Sequence, residues 1–272
     1  MGFLDFFPGR RAFPGALSSF AAGLSLKTPG FPGDAEAQPR EETSAVALTV
    51  GTDRRGMVRD ALKPFEEEIK AAIRNKQVII KVNMGQVDKK WPYNATDPEA
   101  AQGVLDFLKP IYKRKVILAE ATAASSRSTL EGFKNYGYTP LKDKYDIEFR
   151  DLNDRPTILQ WIMGETGRPQ GIHIIGDFLN PDVYMISVTR LKSHDNVFAT
   201  LSLKNMAMGA PVNHWRQREY EGRNEKPLMH GGGNRHLSYN MFLMASRGVR
   251  PNLAVLDGVV GMEGSGPVSG DP

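Results

Sequence analysis

Short apolar runs alternate with helix-like patterns along most of this chain. The runs typical of buried strands are Gln77–Val82, Lys115–Ala119, Ile147–Leu152, Val183–Thr189 and Leu253–Leu256, with a further β-rich run at Ser44–Val50. The segments with helical spacing or helix-end signals are Arg54–Asn75, Pro98 to about Lys109, Ser128–Tyr136 and His236–Arg247. This alternation predicts an α/β fold with a mainly parallel central sheet and helices on both faces.

Two segments fall outside this alternation. Ala207–Arg235 is rich in Asn, Arg and Gly and is typical of a long active-site loop or lid. The glycine-rich segment Gly258–Pro272 ends without a closing element. Because a glycine-rich loop normally connects two elements, we expect the native chain to continue beyond residue 272. The α/β domain of residues 38–272 would then be incomplete at its C-terminus.

Polar residues follow the predicted strands at one end. The residues that fall just past the carboxyl end of an apolar run are Asn83, Glu120, Lys192, His194 and Asp257. In an open parallel sheet these strand ends share one edge, and ligands bind in the crevice there. We therefore expect five polar side chains from four strands to converge at that edge.

The segment Val188–Pro211 concentrates hydrogen-bond donors directly after a predicted strand. Its candidate ligand-binding residues are Lys192, Thr200, Ser202, Lys204 and Asn205, and its candidate proton-transfer residue is His194. Ammonium and hydroxyl groups held together in this way bind phosphate or carboxylate oxygens. The alternatives are salt bridges to neighbouring acids for the lysines, and a metal-binding or structural role for the histidine.

Further candidates for ligand binding lie on other segments. Lys81 and Asn83 leave the first buried strand, although Lys81 could keep its ammonium group in water and Asn83 could only cap a turn. Gly264 and Gly266 belong to a glycine-rich loop whose backbone N–H groups could approach a ligand closely. The alternative for this loop is a tight structural turn.

Three carboxylates are candidates for binding a metal ion. Glu120, Asp257 and Glu263 could hold a divalent ion that bridges to an anionic substrate, or they could only balance the charge of the lysines. The chain contains no cysteine, which excludes an iron–sulfur cluster ligated by this chain alone. Any metal would be held by oxygen and imidazole ligands.

Composition indicates an ordinary globular protein that is able to bury a core. The chain is 40% hydrophobic and 24% charged, and its formal net charge is +4. The basic residues are interleaved with acidic ones, so they form no stripe that could follow a phosphate backbone. This pattern argues against nucleic acid as a partner.

The first 37 residues carry a pattern typical of an export signal. Gly9–Phe13 pairs two arginines with a phenylalanine two positions on, as twin-arginine signals do. The apolar run Phe13–Leu26 follows, and Ala35–Ala37 supplies an A-x-A cleavage pattern. The run is too short for a transmembrane helix, so we expect no stable membrane span. The sequence thus predicts an exported, periplasmic protein; the alternative is a cytoplasmic protein with an irregular N-terminal arm.

Six short motifs resemble one known family. They are Lys81–Met84, Ala119–Ala121, Phe133–Tyr138, Leu191–His194, Thr200–Met206 and Leu256–Pro267. In this order they resemble the bacterial and archaeal family known as domain of unknown function 362, over about residues 45–272. The resemblance implies an association with ferredoxin-like iron–sulfur modules, continuation of the chain into further α/β structure, and no settled reaction. This chain departs from the pattern in lacking a cysteine-rich module.

These observations lead to one main hypothesis and two alternatives. The main hypothesis is an α/β protein that binds a small anionic ligand at the carboxyl edge of its sheet, through its lysines and with a possible divalent metal. One alternative is a redox-accessory or maturation protein that partners an iron–sulfur protein, as the family resemblance implies. The other is an exported ligand-binding module without catalysis. Whether the protein is an enzyme is left open at this point.

Overall fold

A mainly parallel sheet forms the centre of the computed structural model, which describes residues 44–124, 128–195, 197–214 and 224–272. Its strands are β1 (Gln77–Lys81), β2 (Val116–Glu120), β3 (Ile147–Asp151), β6 (Val183–His194), β7 (Phe198–Thr200) and β8 (Leu253–Met262). In the order β3-β2-β1-β6-β8, each neighbouring pair is parallel. β7 folds back antiparallel onto the end of β6. β4 (Thr157–Met163) and β5 (Pro169–Ile175) form a separate antiparallel hairpin.

Helices cover both faces of the sheet. They are α1 (Arg54–Leu62), α2 (Glu66–Ile73), α3 (Pro98–Ile111), α4 (Thr129–Asn135), α5 (Ser202–Ala207) and α6 (Asn234–Ser246). Apolar side chains of α1 to α4 pack on one face against strand residues such as Ile80 and Leu118. α5, α6 and the β4–β5 hairpin pack on the other face, which includes Ile79 and Ile117. Because successive side chains of a strand point to opposite faces, strands that are covered on both sides are apolar at nearly every position.

The parallel register brings the carboxyl ends of three strands to one edge. Lys81, the last residue of β1, lies opposite Ala119 of β2 and Ser187 of β6. Glu120 ends β2 one position further on. β6 continues past its neighbours to His194, so it carries additional polar residues over the same edge.

The predicted fold class is confirmed. β1, β2 and β3 match the predicted runs to within one residue at each end, and β6 and β8 begin at the predicted residues but extend further. The single helix predicted over Arg54–Asn75 is two helices, because a 3-10 turn at Lys63–Phe65 interrupts it. Pro64 lies in this turn and lacks the N–H that a continuous helix needs.

Some elements differ from the sequence predictions. The β4–β5 hairpin and α5 were not predicted, and Ser44–Val50 is not among the strands of the described residues. His173 falls within an apolar stretch of the sequence but does not lie in the core: its side chain is about half exposed and its Nδ1 lies 3.0 Å from Glu225 Oε1. His173 occupies an outward position of β5, between the buried Ile172 and Ile174.

Residues Val50–Pro272 form one compact unit. The predicted signal segment and the predicted boundary between residues 37 and 38 lie outside the described residues. Among the helices that the structure describes, none combines the length and the apolar character needed to cross a membrane.

Candidate functional site

Two sets of polar side chains gather at the carboxyl edge of the sheet. The first, called here the Lys81 chain, consists of Lys81, Glu120, Asn205, Asn83 and Lys192. The second, called the Lys204 chain, consists of Lys204, His194 and Asp195. The two sets share their supporting elements, because β6 carries both Lys192 and His194 while α5 carries both Lys204 and Asn205.

Lys81 and Glu120 form an ion pair that is almost completely enclosed. Lys81 Nζ donates to the two Glu120 carboxylate oxygens at 2.9 and 3.0 Å. The same carboxylate accepts from the backbone N–H groups of Met84 and Ala121 at 3.2 and 2.8 Å. Complete burial lowers the pKa of Lys81, and the charge of Glu120 opposes that shift. The pair links the ends of β1 and β2.

Two asparagines connect this ion pair to Lys192. Asn205 Oδ1 accepts from Lys81 Nζ at 2.7 Å and from Asn83 Nδ2 at 3.2 Å. Asn205 Nδ2 donates to Ser187 Oγ at 3.0 Å, and Asn83 Oδ1 accepts from Lys192 Nζ at 2.6 Å. Since an ammonium group can only donate, both amide orientations are fixed by the lysines at the two ends of the chain.

Lys192 is a buried ammonium group whose partners are uncharged. Its side chain is 4% exposed, and beside Asn83 it donates to the carbonyls of Asn94 at 2.7 Å and Pro267 at 3.4 Å. Within the described residues, no carboxylate lies at ion-pair distance from its Nζ. The hydrogen bonds that Lys192 donates within the described residues therefore end on dipoles and not on a charge.

The electrostatic surroundings of Lys192 disfavour its charge. Burial lowers the pKa of Lys192 to about 7, and Glu120 opposes this shift. The nearby cations that lower the pKa further are Arg190, Lys204 and Lys81. Burial thus favours the neutral amine, whereas a bound anion would favour the ammonium form.

The Lys204 chain runs from a lysine through a histidine to an aspartate. Lys204 Nζ lies 2.7 Å from His194 Nε2, and His194 Nδ1 lies 2.9 Å from Asp195 Oδ1. Burial lowers the pKa of Lys204 to about 8, whereas burial and the charge of Lys204 lower the pKa of His194 to about 4. At neutral pH the shared proton therefore belongs to Lys204, so His194 accepts at Nε2 and donates from Nδ1.

The polar cluster reaches the surface beside three half-buried residues. They are Asn83, Thr200 and His230. Thr200 of β7 lies opposite Lys192 in the hairpin register. Burial lowers the pKa of His230, and the charge of Lys204 adds to that shift.

α5 holds its polar residues toward this edge. Ser202 begins the helix, and its Oγ lies 3.3 Å from Thr189 Oγ1 of β6. Met206 and Ala207 are fully buried in the core below the sheet. Ser202 thus contacts β6, and its assignment to ligand binding stays a prediction, as does that of Thr200.

The predicted glycine loop supports β6. Ser193 Oγ donates to the carbonyl of Gly264 at 3.1 Å, and the N–H of Gly266 donates to the same carbonyl at 2.8 Å. A Cβ on Gly266 would lie 2.1 Å from the carbonyl oxygen of Ser193, so only glycine fits there. The next residue, Pro267, offers its carbonyl to Lys192. This loop meets the site through carbonyl oxygens, and ligand binding by its two glycines stays a prediction.

The three predicted metal-binding carboxylates have separate surroundings. Glu120 pairs with Lys81, Asp257 Oδ2 lies 3.0 Å from Arg54 Nε, and Glu263 is exposed. In the part of the chain that the structure describes, no group of three or more His, Cys, Asp or Glu side chains is placed to hold a metal ion. The metal assignment gains no support from this geometry and stays a prediction.

Asp257 belongs to a neighbouring network instead of the Lys81 chain. Arg54 of α1 contacts both Asp257 and Asp97, each at 3.0 Å. Arg190, which lies opposite Asp257 in the strand register, is 3.7 Å from Asp97. The edge of the sheet therefore carries Asn83, Glu120 and Lys192 together but directs the Asp257 carboxylate toward α1.

Sequence reasoning did not find several residues that shape the site. Lys226 Nζ is buried and donates to the carbonyls of Met208, Gly209 and Pro211 at 3.3, 2.8 and 2.6 Å. A Cβ on Gly209 would lie 2.5 Å from Lys81 Cε, so glycine is needed for Lys81 to fit. Burial lowers the pKa of Lys226 to about 7. No sequence signal marks Lys226, which lies in an irregular stretch.

The sequence analysis did not identify Asp195 as a site residue, although its position beside His194 indicates such a role. It directly follows His194, and an acid beside a histidine is a common way to fix the tautomer of the imidazole. Its side chain remains mostly exposed while its Oδ1 contacts the ring.

Comparisons with known proteins identify relatives of this chain. The sequence pattern of the family described as "Domain of unknown function (DUF362)" matches residues 78–272. The thylakoid-associated protein sll1697 of Synechocystis sp. (strain ATCC 27184 / PCC 6803 / Kazusa) is 23% identical over 201 residues, which cover 72% of this chain and 56% of that protein.

Two solved structures are also similar to this chain. A protein from Thermotoga maritima matches with a TM-score of 0.48 and 11% identity, covering 81% of this chain and 54% of that one. The lactate racemase apoprotein from Thermoanaerobacterium thermosaccharolyticum matches with a TM-score of 0.43 and 16% identity, covering 78% and 54%. The chain thus spans about half the length of the Synechocystis protein and of each of these two solved structures.

Proposed function

The chain belongs to the DUF362 family, whose description assigns no activity, and from its own geometry we propose that it binds a small anion at the carboxyl edge of its sheet. The ligand carries a phosphate or carboxylate group whose oxygens accept hydrogen bonds from Lys204, and from Lys192 in place of its long 3.4 Å contact to the Pro267 carbonyl. Asn83 and Asn205 hold Lys192 in place through the Lys81 chain. The half-buried Thr200 lies opposite Lys192 in the strand register.

One observation carries this proposal. Lys192 and Lys204 are 4% and 9% exposed, yet within the described residues their side-chain partners are amide, carbonyl and imidazole groups. An ammonium group in such a place is unfavourable, because it has lost its water without gaining a carboxylate at hydrogen-bond distance. The charges of Glu120 and Asp195 act on Lys192 and Lys204 only from further away. An anion placed between the two ammonium groups would supply that charge.

Lys81 is a buried lysine at the same edge whose charge is compensated by the protein itself. It lies in the same cluster and is even more deeply buried, but a carboxylate of the chain itself accepts from it. If charge balance were the only requirement, Lys192 and Lys204 would be expected to have similar partners. Their difference from Lys81 favours a ligand as the missing partner.

The test is thermal unfolding at pH 7.0 in inorganic phosphate or malonate, against sodium chloride of equal ionic strength. A ligand at tenfold its Kd stabilises the folded state by about 1.4 kcal/mol, which raises Tm by about 3–6 °C for a domain of this size. We expect this rise in the wild-type protein. Lys192→Met and Lys204→Met should fold, because methionine fills a similar volume without an uncompensated charge, and should lose the rise.

Lys144→Met is the matched control, since Lys144 is an exposed lysine far along the chain from both residues. Phosphate also stabilises proteins in general, and that part should be the same in all four proteins. An equal rise in the wild type and in both site variants would overturn the proposal.

Export through the twin-arginine-like signal and partnership with an iron–sulfur protein remain proposals from the sequence. The first depends on residues outside the described ranges. For the second, nothing in the described part of the chain adds support.

A further inference from the structure

The Lys204 chain assigns different roles to its lysine and its histidine. Both ring nitrogens of His194 are engaged: Nε2 by Lys204 at 2.7 Å and Nδ1 by Asp195 at 2.9 Å. An imidazole can present only these two nitrogens to a ligand. Lys204 uses one of its three N–H donors on His194, so its ammonium group retains donors for a second partner.

We propose that Lys204, and not His194, is the residue that donates a proton to the bound anion, while His194 and Asp195 are positioning residues behind it. This inference rests on the proposed function, since it assigns roles within the same anion site. It changes the expectation that His194 transfers a proton, and it names a ligand class: an anion that also carries an atom able to accept a proton.

The proton step is simple to balance. The Nζ–H bond of Lys204 breaks, a bond between that hydrogen and a ligand atom forms, and the electron pair stays on Nζ as the lone pair of a neutral amine. The reverse step restores the ammonium group. His194 keeps its proton on Nδ1 throughout, because Asp195 accepts from that position.

The surroundings of Lys204 suit a group that changes its charge. The titratable groups that face it are His194 of β6, Asp195 after β6, Lys192 of β6 and His230. Burial lowers the pKa of Lys204 to about 8, so the amine form is accessible near neutral pH. A proton donor works best when its pKa lies close to the pH at which it operates.

The test follows both residues by NMR, with sulfate as the probe because sulfate does not titrate between pH 6 and 9. Lysine Cε and histidine ring ¹⁵N labels are used, and Lys204 is assigned from the resonance that is lost in Lys204→Met. We expect Lys204 to titrate near pH 8 without sulfate and about 1–3 pH units higher with saturating sulfate. His194 should stay neutral with its proton on Nδ1 over the whole range.

Two substitutions of His194 separate positioning from direct contact. The amide oxygen of glutamine can replace Nε2 as the acceptor for Lys204, whereas the shorter asparagine can only replace Nδ1. His194→Gln should therefore keep sulfate affinity within about threefold and keep the Lys204 titration. His194→Asn should weaken sulfate binding about tenfold, because it removes a hydrogen bond to a charged group.

The possible failures are distinguishable. If sulfate perturbs no resonance of the wild-type protein, the proposed function fails and this inference fails with it. If sulfate binds and His194 becomes doubly protonated, while Lys204 of the sulfate-free protein does not titrate below pH 10, only the assignment of the proton to Lys204 is overturned. Equal loss of binding in His194→Gln and His194→Asn would likewise overturn the positioning role.

Discussion

At the scale of single residues, the buried lysines of this protein differ in what accepts their hydrogen bonds. Lys81 has a carboxylate, Lys226 has three backbone carbonyls, Lys192 has an amide and carbonyls, and Lys204 has an imidazole. A full negative charge compensates an ammonium group far better than dipoles do. The charge state of Lys81 is therefore the least dependent on a ligand.

Replacing Lys81 should lower the free energy of unfolding, because Glu120 would lose its charged partner. In Lys81→Met the Glu120 carboxylate would stay buried, and two backbone N–H groups of the described residues would remain as its donors. Breaking one side of a buried ion pair costs about 3–5 kcal/mol, and we expect a loss of that size in the free energy of unfolding measured with urea.

The double variant Lys81→Met/Glu120→Met is the control for this measurement. It removes both charges and should recover most of the loss. A single variant that loses less than about 1 kcal/mol would show that water already reaches Glu120 and that the pair is not enclosed.

The sequence predicted which residues would lie at the edge better than it predicted their partners. The rule that strand ends share an edge placed Asn83, Glu120 and Lys192 close together, as the hydrogen bonds show. It could not place Asp257, whose partner Arg54 comes from a helix packed on one face. Such a contact depends on how α1 packs against the sheet, and strand patterns contain no information on that packing.

At the scale of elements, the sequence predictions failed where an element is short and where strand pairing, not hydrophobicity, sets the end of a strand. α5 spans six residues, which is too short for a helical period to be recognised in the sequence. β6 and β8 extend beyond their apolar runs because they pair with each other there, for example Arg190 with Asp257. The β4–β5 hairpin lacks a strict alternation, since neighbouring residues Ile158 and Leu159 are both exposed.

Asn240 of α6 should stabilise the docking of the β4–β5 hairpin. Its side chain is fully buried, accepts from the N–H of Met163 at 2.8 Å, and donates to the carbonyls of Met163 and Met229 at 3.0 and 3.3 Å. Asn240→Leu would leave these groups unsatisfied at about 1–3 kcal/mol each. We expect faster amide hydrogen exchange across β4 and β5 and a lower free energy of unfolding.

Ser238→Ala provides the comparison, because Ser238 is an exposed residue of the same helix. It should leave exchange in the hairpin unchanged. If Asn240→Leu also leaves the exchange of β4 and β5 unchanged, the hairpin is held by its apolar contacts alone, such as those of Ile162 and Ile172.

At the scale of the whole molecule, the alternation of strands and helices was enough to predict the architecture. The apolar runs of β1, β2 and β6 are covered on both faces, which is the pattern that a parallel sheet produces. The same architecture explains why the chemistry lies at one edge: residues from β1, β2 and β6 meet there although they are far apart in the sequence. The alternation does not predict the charge balance of that edge, because the charge balance depends on which side chains contact each other there.

That charge balance should make the stability of the protein depend on pH. Burial lowers the pKa values of Lys192, Lys204 and Lys226 to about 7, 8 and 7 in the folded state, whereas an unfolded lysine titrates near 10.4. Between these values the unfolded chain binds more protons than the folded one, so the free energy of unfolding should rise as pH increases from about 7 to 10. Each lysine can contribute a slope of up to about 1.4 kcal/mol per pH unit.

Urea unfolding between pH 6.5 and 9.5 measures this slope. Lys192→Met should remove its share, whereas Lys144→Met should not, because an exposed lysine has little reason to differ between the two states. Saturating phosphate should also flatten the curve in the wild type, since a bound anion raises the folded-state pKa of the lysines that it contacts. If the free energy of unfolding of the wild type does not change over this pH range, water or a retained anion already compensates these charges. The statement that Lys192 and Lys204 lack a compensating charge in the folded protein would then be wrong.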